Sequence, residues 1–491
     1  MILQRVHCLI ITALLAMVLP SLAGTVTADF TSASSVPVTA ASYTAAGNDV
    51  SVSLSFAPPT GTTLMVVKNT GSAFITGQFS NLAQGQVMNL SYNGVTYKYV
   101  ANYYGGTGND LVLQWAYQNL LAWGNLLAGK TVIAFSACGS HSLLLCSDGT
   151  VADVANGNTL DMTHSGVLSG KMVIAVAAGG SHCLALCSDG TVAAWGDNTY
   201  GQLGNNNSSV TSSSVPLAVY TSGVLSGKIV TSISAGGLHS LALCSDGVIV
   251  AWGRNFYGQL GNNLTNDRAL PVLVDQSGAL VGKQVVQISA GDSHSMALCS
   301  DSYITAWGCN LNGRLGNGTT ISASVPVSVT QSSTQLLGKT VVSISAGYDH
   351  SLALDPDGNM YSWGANSKGQ LGCGGYANAG TSNYADHSVP SAVKYISGKK
   401  YVAISAGLKY SLTLCSDGTV AGWGNVTTGY DLNGNLVPTG SYPRITSEGI
   451  AVAIDCAGNS SDPKYEIDAV DNTSLLSTVN PYPYGQTVNP L

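Results

Sequence analysis

Histidine recurs at a fixed place in a repeated phrase of this 491-residue chain. His141, His182, His239, His294 and His350 each open a short apolar run that leads into a polar turn, and Tyr410 stands at the sixth occurrence. Imidazoles in register suggest a ring of metal ligands or a set of bases. Equivalent residues of separate repeats, however, need never come as close as a shared ligand sphere requires. Tyrosine in one repeat is also easier to accommodate in a hydrogen bond than in a metal site. The histidines therefore read as structural, each pinning its own repeat by a side-chain-to-backbone hydrogen bond, with no metal and no cofactor expected.

The cysteines invite the same question. Cys146, Cys187, Cys244, Cys299 and Cys415 all sit just before Ser-Asp-Gly. The chain has 11 cysteines, and removal of Cys8 with a leader would leave an even number, which in an exported protein suggests disulfides. Repeat-equivalent side chains point the same way in different units, though, and a bridge needs Cα atoms within about 7 Å. They read as small buried hydrophobes. Cys138, Cys183, Cys309, Cys373 and Cys456 are irregularly placed, and their pairing stays open. No Cys-x-x-Cys pair, nucleophile elbow, phosphate loop or repeat-independent pair of carboxylates occurs. Gly105–Asp110 (GGTGND) is similar to calcium-binding turns, but as one copy it lacks the neighbouring turn that would complete an oxygen shell. Asp355–Asn359 lacks an acid near the twelfth loop position and reads as a plain turn.

What positions these residues is the repeat itself. The histidine, or its tyrosine stand-in, returns at intervals of 41, 57, 55, 56 and 60 residues. Within a unit, Lys-x-Val-Val-x-Ile-Ser-Ala-Gly reads as one strand and His-Ser-Leu-Ala-Leu-Cys as a second. Ser-Asp-Gly makes the hairpin. Val-x-Ala-Trp-Gly is the third strand and Ser-Val-Pro-x-x-Val the fourth. Four short strands per unit with no helical period predict a propeller blade. Trp123, Trp195, Trp252, Trp307, Trp363 and Trp423 precede glycine at a strand end, where the ring packs against the neighbouring blade and glycine allows close backbone approach.

Ala235, Gly236, His239, the Asp246-Gly247 turn, Trp252-Gly253 and the Gly-Gln-Leu-Gly of 258–261 resemble the repeat of the RCC1 family (regulator of chromosome condensation). The resemblance runs through several copies and implies a seven-bladed β-propeller. Six units are countable. The seventh blade is expected from the two ends together, Leu121–Gly124 giving one strand and 451–470 the others, so that the ring closes without open edges. The first unit lacks Trp-Gly and Gly-x-Leu-Gly and is expected to be short of part of its outer loop. The sixth carries a different insertion.

The chain thus divides into a signal peptide at 1–23, a small β module at 24–115, the propeller at 116–470 and a tail at 471–491. Arg5, the apolar Leu9–Leu19 and Ser21-Leu22-Ala23 form the export signal, with cleavage before Gly24. Gly77–Leu82 (GQFSNL), the Asn93-Gly94 hairpin and Gly105–Asp110 resemble the module that closes autotransporter-associated repeats of bacterial surface proteins.

Only 9% of residues are charged and the net charge is −7, which argues against a nucleic-acid partner. After each Gly-x-Leu-Gly the repeats diverge. These loops are the candidate contact surface, with Asn266, Asp267, Arg268, Tyr376, Tyr384 and Asp386 as its expected residues. The reading is a non-enzymatic, monomeric propeller, secreted, periplasmic or at the cell surface, binding a protein or polysaccharide, with no membrane span once the leader is cleaved. The alternatives are guanine-nucleotide exchange, which the family resemblance implies, and an exported hydrolase or lyase.

Overall fold

The structure, a computed structural model, describes residues 24–445 except 59–63, 71–74, 84–85, 106–109, 116–131, 139–140, 147, 156–157, 208, 332–333, 374–384, 395–398, 416–419, 425–428, 431–435 and 438–439. The expected leader, the composite closing blade and the tail lie outside the described residues, as do Trp123, Tyr376 and Tyr384. Among the described residues the fold is nearly all β, with one short 3-10 turn at Gly166–Leu168.

The N-terminal strands are β1 (Thr25–Phe30), β2 (Val38–Ala40), β3 (Asp49–Leu54) and β4 (Leu64–Asn69). β1 pairs in parallel with β3, β2 pairs in parallel with β4, and Thr44 bridges Thr76 in parallel. The chain therefore makes two three-sided coils, one stacked on the other. Alternation aims Ala28, Phe30, Val50 and Leu54 into the stack, where they meet Leu64, Val66 and Tyr99. An antiparallel meander follows, β5 (Val87–Tyr92), β6 (Val95–Gly105) and β7 (Asp110–Trp115), turned at Asn93-Gly94, where φ is +49° and +78°.

The Gly77–Leu82 motif caps the second coil. Asn81 Oδ1 accepts from Val50 N at 2.8 Å, and Asn81 Nδ2 donates to Val50 O at 2.9 Å. One side-chain amide thus replaces the next rung of the ladder. Tyr103 Oη accepts from Phe79 N at 2.8 Å and donates to Leu82 O at 2.6 Å. Asp110, which ends the glycine-rich turn, is buried and accepts from Asn69 N at 2.7 Å.

From residue 132 onward six antiparallel sheets follow one another, spanning 132–161, 173–218, 230–273, 285–328, 343–392 and 401–445. Five have four strands each, and the last carries two additional short ones. The third sheet shows the pattern: β8 (Val230–Ala235), β9 (His239–Cys244), β10 (Ile249–Gly253) and β11 (Arg268–Leu273). Every side chain of β9 and β10 is buried, because both faces of a blade pack on neighbours. Ile174, Leu184 and Leu186 of the second sheet pack with Val230, Ala242, Val250 and Trp252 of the third. The first sheet keeps its fourth strand at Asn158–Asp161, though it lacks the long excursion seen elsewhere.

Backbone hydrogen bonds tie the inner strands from sheet to sheet. Gly180 N donates to Gly236 O, Gly237 N to Gly291 O, Asp292 N to Gly347 O and Tyr348 N to Gly407 O, at 3.0–3.2 Å. At the opposite end the strand-leading lysines pair with the aspartate of the hairpin: Lys171 with Asp189, Lys228 with Asp246 and Lys283 with Asp301.

Replacing Asn81 with Ala strips Val50 of both its added partners. The expected loss is roughly 1–3 kcal/mol in the N-terminal module, seen as faster amide exchange in 49–54 with the propeller unaffected. Unchanged protection there would show that the cap contributes nothing.

Candidate functional site at the blade junctions and the Trp-Gly end

The repeated histidines do not bond to their own blade's backbone. Each reaches the serine that follows the next histidine or, for His350, the serine that follows Tyr410. His182 Nε2 lies 2.8 Å from Ser240 Oγ, His239 Nε2 2.9 Å from Ser295 Oγ, His294 Nε2 3.0 Å from Ser351 Oγ and His350 Nε2 2.8 Å from Ser411 Oγ. Each serine hydroxyl donates in turn to a Gly-x-Leu-Gly carbonyl of the earlier blade: Gln202, Gln259, Arg314 and Gln370 O, at 2.8–3.0 Å. The serine's only proton is used there, so Nε2 must be the protonated nitrogen. Nδ1 of the four rings has no hydrogen-bond partner. It rests against the Ala-Gly turn, where a Cβ on Gly236 would lie 2.4 Å from the His239 ring and equally close to Gly291 O. The expected own-blade bond fails because the ring's one N–H, on Nε2, is given to the next blade's serine, and Nδ1 has no proton for a backbone carbonyl. The side chain of His141 lies outside what is described, and Tyr410 takes the sixth place, buried.

The same carbonyls accept a second proton. Trp252 Nε1 donates to Gln202 O, Trp307 to Gln259 O and Trp363 to Arg314 O, at 2.8–2.9 Å. Trp195 has no such carbonyl behind it, since the first unit lacks Gly-x-Leu-Gly, and donates instead to buried Asp153 Oδ2 at 3.0 Å. Trp423 is fully buried, its Nε1 without a partner among the described residues. Nothing in the sequence marked Asp153; its place inside a strand in the one aberrant unit was the available signal.

Burial favours the neutral form of three of these imidazoles. It pushes His182 down to about 4 and His239 to about 3, and it holds His294 well below the ordinary range. Burial likewise pushes the Cys187 and Cys244 thiols up to about 12 and Cys299 to about 11. These three are free thiols, inert as nucleophiles. Asp355 accepts from Asn359 N and Nδ2, both at 2.8 Å, and from Tyr361 Oη at 3.1 Å, which makes it a turn residue. Among the described residues no group of three His, Cys, Asp or Glu side chains is arranged to hold a metal ion.

The loops after Trp-Gly are held by an asparagine that the sequence reading passed over, although Trp-Gly-x-Asn recurs in four units. Asn198, Asn255, Asn310 and Asn366 each accept, through Oδ1, from the leucine N–H of Gly-x-Leu-Gly at 2.9–3.1 Å. Asn255 Nδ2 also donates to the carbonyls of Leu264 and Asn266, and Asn310 Nδ2 to those of Thr319 and Ile321. Of the expected contact residues, Asp267 accepts from Asn255 N at 2.7 Å and Asp386 from Asn366 N at 2.8 Å. The two aspartates occupy equivalent positions and brace the loop. Asp386 also accepts from Asn312 Nδ2 at 2.8 Å, linking two blades. Arg268 lies opposite Gly253 in the sheet, beside an exposed Asn266 whose amide oxygen, correctly oriented, accepts from its guanidinium at 2.8 Å. Asn266–Arg268 belong to the third blade and Asp386 to the fifth, so the structure does not bring them into one cluster.

The family profile of the RCC1-like domain matches residues 118–461. The Arabidopsis thaliana ultraviolet-B receptor UVR8 is 30% identical over 231 residues, which is 47% of this chain and 48% of that protein. Human E3 ubiquitin-protein ligase HERC2 is 34% identical over 234 residues, 47% of this chain but 4% of HERC2. The matched part thus spans half or less of these relatives. Human WBSCR16 superposes with a TM-score of 0.56 at 20% identity, covering 67% of this chain and 86% of that one. Yeast RCC1 (Prp20), in its complex with Kap60, gives 0.55 at 21% identity, covering 67% and 78%.

Two outcomes follow from the junctions. Ser295→Ala leaves the His239 N–H unpaired and is expected to cost roughly 1–3 kcal/mol of propeller stability by denaturant unfolding, with no change in fold. The unfolded chain takes up protons on these histidines below about 6.5, whereas the folded chain refuses them until about 4 for His182. Stability should therefore be full above about 6.5 and fall as pH drops toward 4, by on the order of 1.4 kcal/mol per pH unit per histidine. His239→Asn should make that slope shallower; an identical slope would place the proton uptake elsewhere.

Proposed function

The chain belongs to the RCC1-like domain family, and on that premise we propose that it is a non-catalytic interaction scaffold, exported by its leader and working outside the cytoplasm. The observation that carries this reading is a contrast within each repeat. Trp-Gly, the asparagine brace and Gly-x-Leu-Gly recur at constant spacing, while the segments that follow Gly-x-Leu-Gly change in length and type. A frame held constant with variable loops on one edge is what recognition needs. His182, His239, His294 and His350 are engaged at the blade junctions, which supports a structural role for the repeated histidines. Yeast RCC1 is known bound to Kap60, and Prp20p has binding properties toward Gsp1p and histones, so the family surface serves protein partners. An exported chain would not meet a cytoplasmic GTPase, which sets this reading against nucleotide exchange. No helix among the described residues is long and apolar enough to cross a membrane.

The leader reading predicts that the native protein begins at Gly24; N-terminal sequencing that starts at Met1 or Ile2 contradicts it. Protein beginning at Gly24, used as bait against surface proteins and polysaccharides of its own cells, should retain a specific partner. Tyr376→Ala with Tyr384→Ala should leave melting unchanged and weaken that partner by about 2 kcal/mol or more. Unaltered affinity moves the contact off the fifth-blade loop.

A further inference from the structure

Repetition gives this fold an internal control. The backbone of Trp-Gly-x-Asn-x-x-Gly is the same in the second, third, fourth and fifth sheets, and the asparagine braces it identically in each. The residue after that asparagine is Thr199, Phe256, Leu311 and Ser367 in turn, every one exposed. Threonine and serine satisfy the geometry, so folding does not require Phe256, 64% exposed, or Leu311, 62% exposed. The outer loop repeats the pattern. Leu264 is exposed where its equivalents are Asn207 and Thr319, and Ile321, 75% exposed, stands where the third sheet has Asn266. Single surface apolar residues are ordinary. Four gather on two adjacent sheets, three of them where the second sheet carries a polar residue, as patches do.

A backbone hydrogen bond joins the two units across the blade boundary. Asn263 N, next to Leu264, donates to Ser324 O at 2.8 Å, on the strand that Ile321 precedes. Phe256 stacks edge-on with Tyr257, ring centroids 4.9 Å apart.

Charge singles out the same place. The chain has five arginines, Arg5, Arg254, Arg268, Arg314 and Arg444. Three of them lie at the Trp-Gly end of the third and fourth sheets. Arg254 lies over the Tyr200 ring at 5.0 Å. Arg314 is buried, donating to Tyr348 O at 3.1 Å and Asn312 Oδ1 at 2.8 Å. Among the described residues none of these three forms an ion pair, whereas three strand-leading lysines at the other end are each paired with aspartate. The acids nearby are committed: Asp267 braces the loop, and Asp292, facing Arg314 and Arg254, is shielded by burial and accepts from Ser293 Oγ. Arg254 and Arg268 remain as cations at the end of the sheet that exposes Phe256, with Leu311 on the next sheet. Arginine with aromatic side chains is the composition of an interface anchor.

We propose that the Trp-Gly end of the third and fourth blades binds an acidic segment of a protein partner, its carboxylates pairing with Arg254 and Arg268 and an adjoining apolar side chain covering Phe256 and Leu311. A sulfated glycan would match the arginines but has nothing to cover the apolar patch. The proposal rests on the scaffold reading and sharpens it to one surface and one partner chemistry.

The other repeats supply substitutions that the fold already accepts: Arg254→Asp as at Asp197, Phe256→Thr as at Thr199, and Leu311→Ser as at Ser367. The probe is a short fluorescein-labelled peptide of glutamates flanking one phenylalanine and one leucine, read by anisotropy on the full chain. Controls are the same peptide with glutamine for glutamate, and a sulfated oligosaccharide. The expected result is binding that weakens with salt, is lost with the glutamine peptide, and falls at least roughly tenfold in Arg254→Asp and in Phe256→Thr/Leu311→Ser, with melting unchanged. Equal binding by wild type and variants overturns the patch, yet leaves a scaffold whose contact lies elsewhere. Indifference to the peptide's charge, or preference for the sulfated oligosaccharide, overturns the acidic-segment assignment.

Discussion

A buried serine hydroxyl, shared between two blades, is the contact on which the propeller depends. Ser240, Ser295, Ser351 and Ser411 each accept from a histidine of the preceding blade and donate to a carbonyl of that same blade. The hydroxyl suits this place because it is the one small side chain that donates and accepts at once. The chain of three groups is polar but neutral. A charged version would have to overcome desolvation at every junction, and at His182, His239 and His294 the bound proton is disfavoured for the same reason. Neutral clasps also explain how a chain with 9% charged residues fixes so many polar groups in its core.

Because the carbonyl in the clasp belongs to Gly-x-Leu-Gly, the clasp fixes the loop as well as the blade. Trp252, Trp307 and Trp363 add a second donor to it, and Gly261 shows how tightly the parts meet, since a Cβ there would lie 2.7 Å from Trp307 Nε1. Beyond this point the brace of Asn255 or Asn310 fixes the loop backbone and the side chains of Asn262, Asn317 and Thr319. Side chains outside it are released from structural duty, and that is where the units differ.

Much of this was legible in the sequence and some was not, for physical reasons. The strand order within a unit follows from period-2 alternation and the Ser-Asp-Gly turn, both local. The histidine's partner is not local: Ser295 is 56 residues from His239. The repeated His-Ser pair carried the information, but an own-blade bond accounted for the histidine equally well. The parallel coils of the N-terminal module were hidden because alternation looks the same in parallel and antiparallel strands. Asp267 and Asp386 looked like contact residues by type. Composition does not tell whether a loop carboxylate faces a ligand or the loop's own N–H groups, and these two serve the latter.

The repeats also separate what folding requires from what it permits. Gly201, Gly258, Gly313 and Gly369 hold φ at +83°, +82°, +75° and +81°, so the same turn is built four times with the same strain and the same relief by glycine. Identity across these positions reports geometry alone. Between the asparagine and that glycine, the turn carries Thr199-Tyr200, Phe256-Tyr257, Leu311-Asn312 and Ser367-Lys368 on one backbone. Exposing a large apolar side chain forgoes roughly 1.5–3 kcal/mol of burial, which a polar residue would not lose. A turn that accepts threonine and serine gains nothing in stability from phenylalanine or leucine. The apolar choice in two adjacent blades is therefore not one that the turn itself demands.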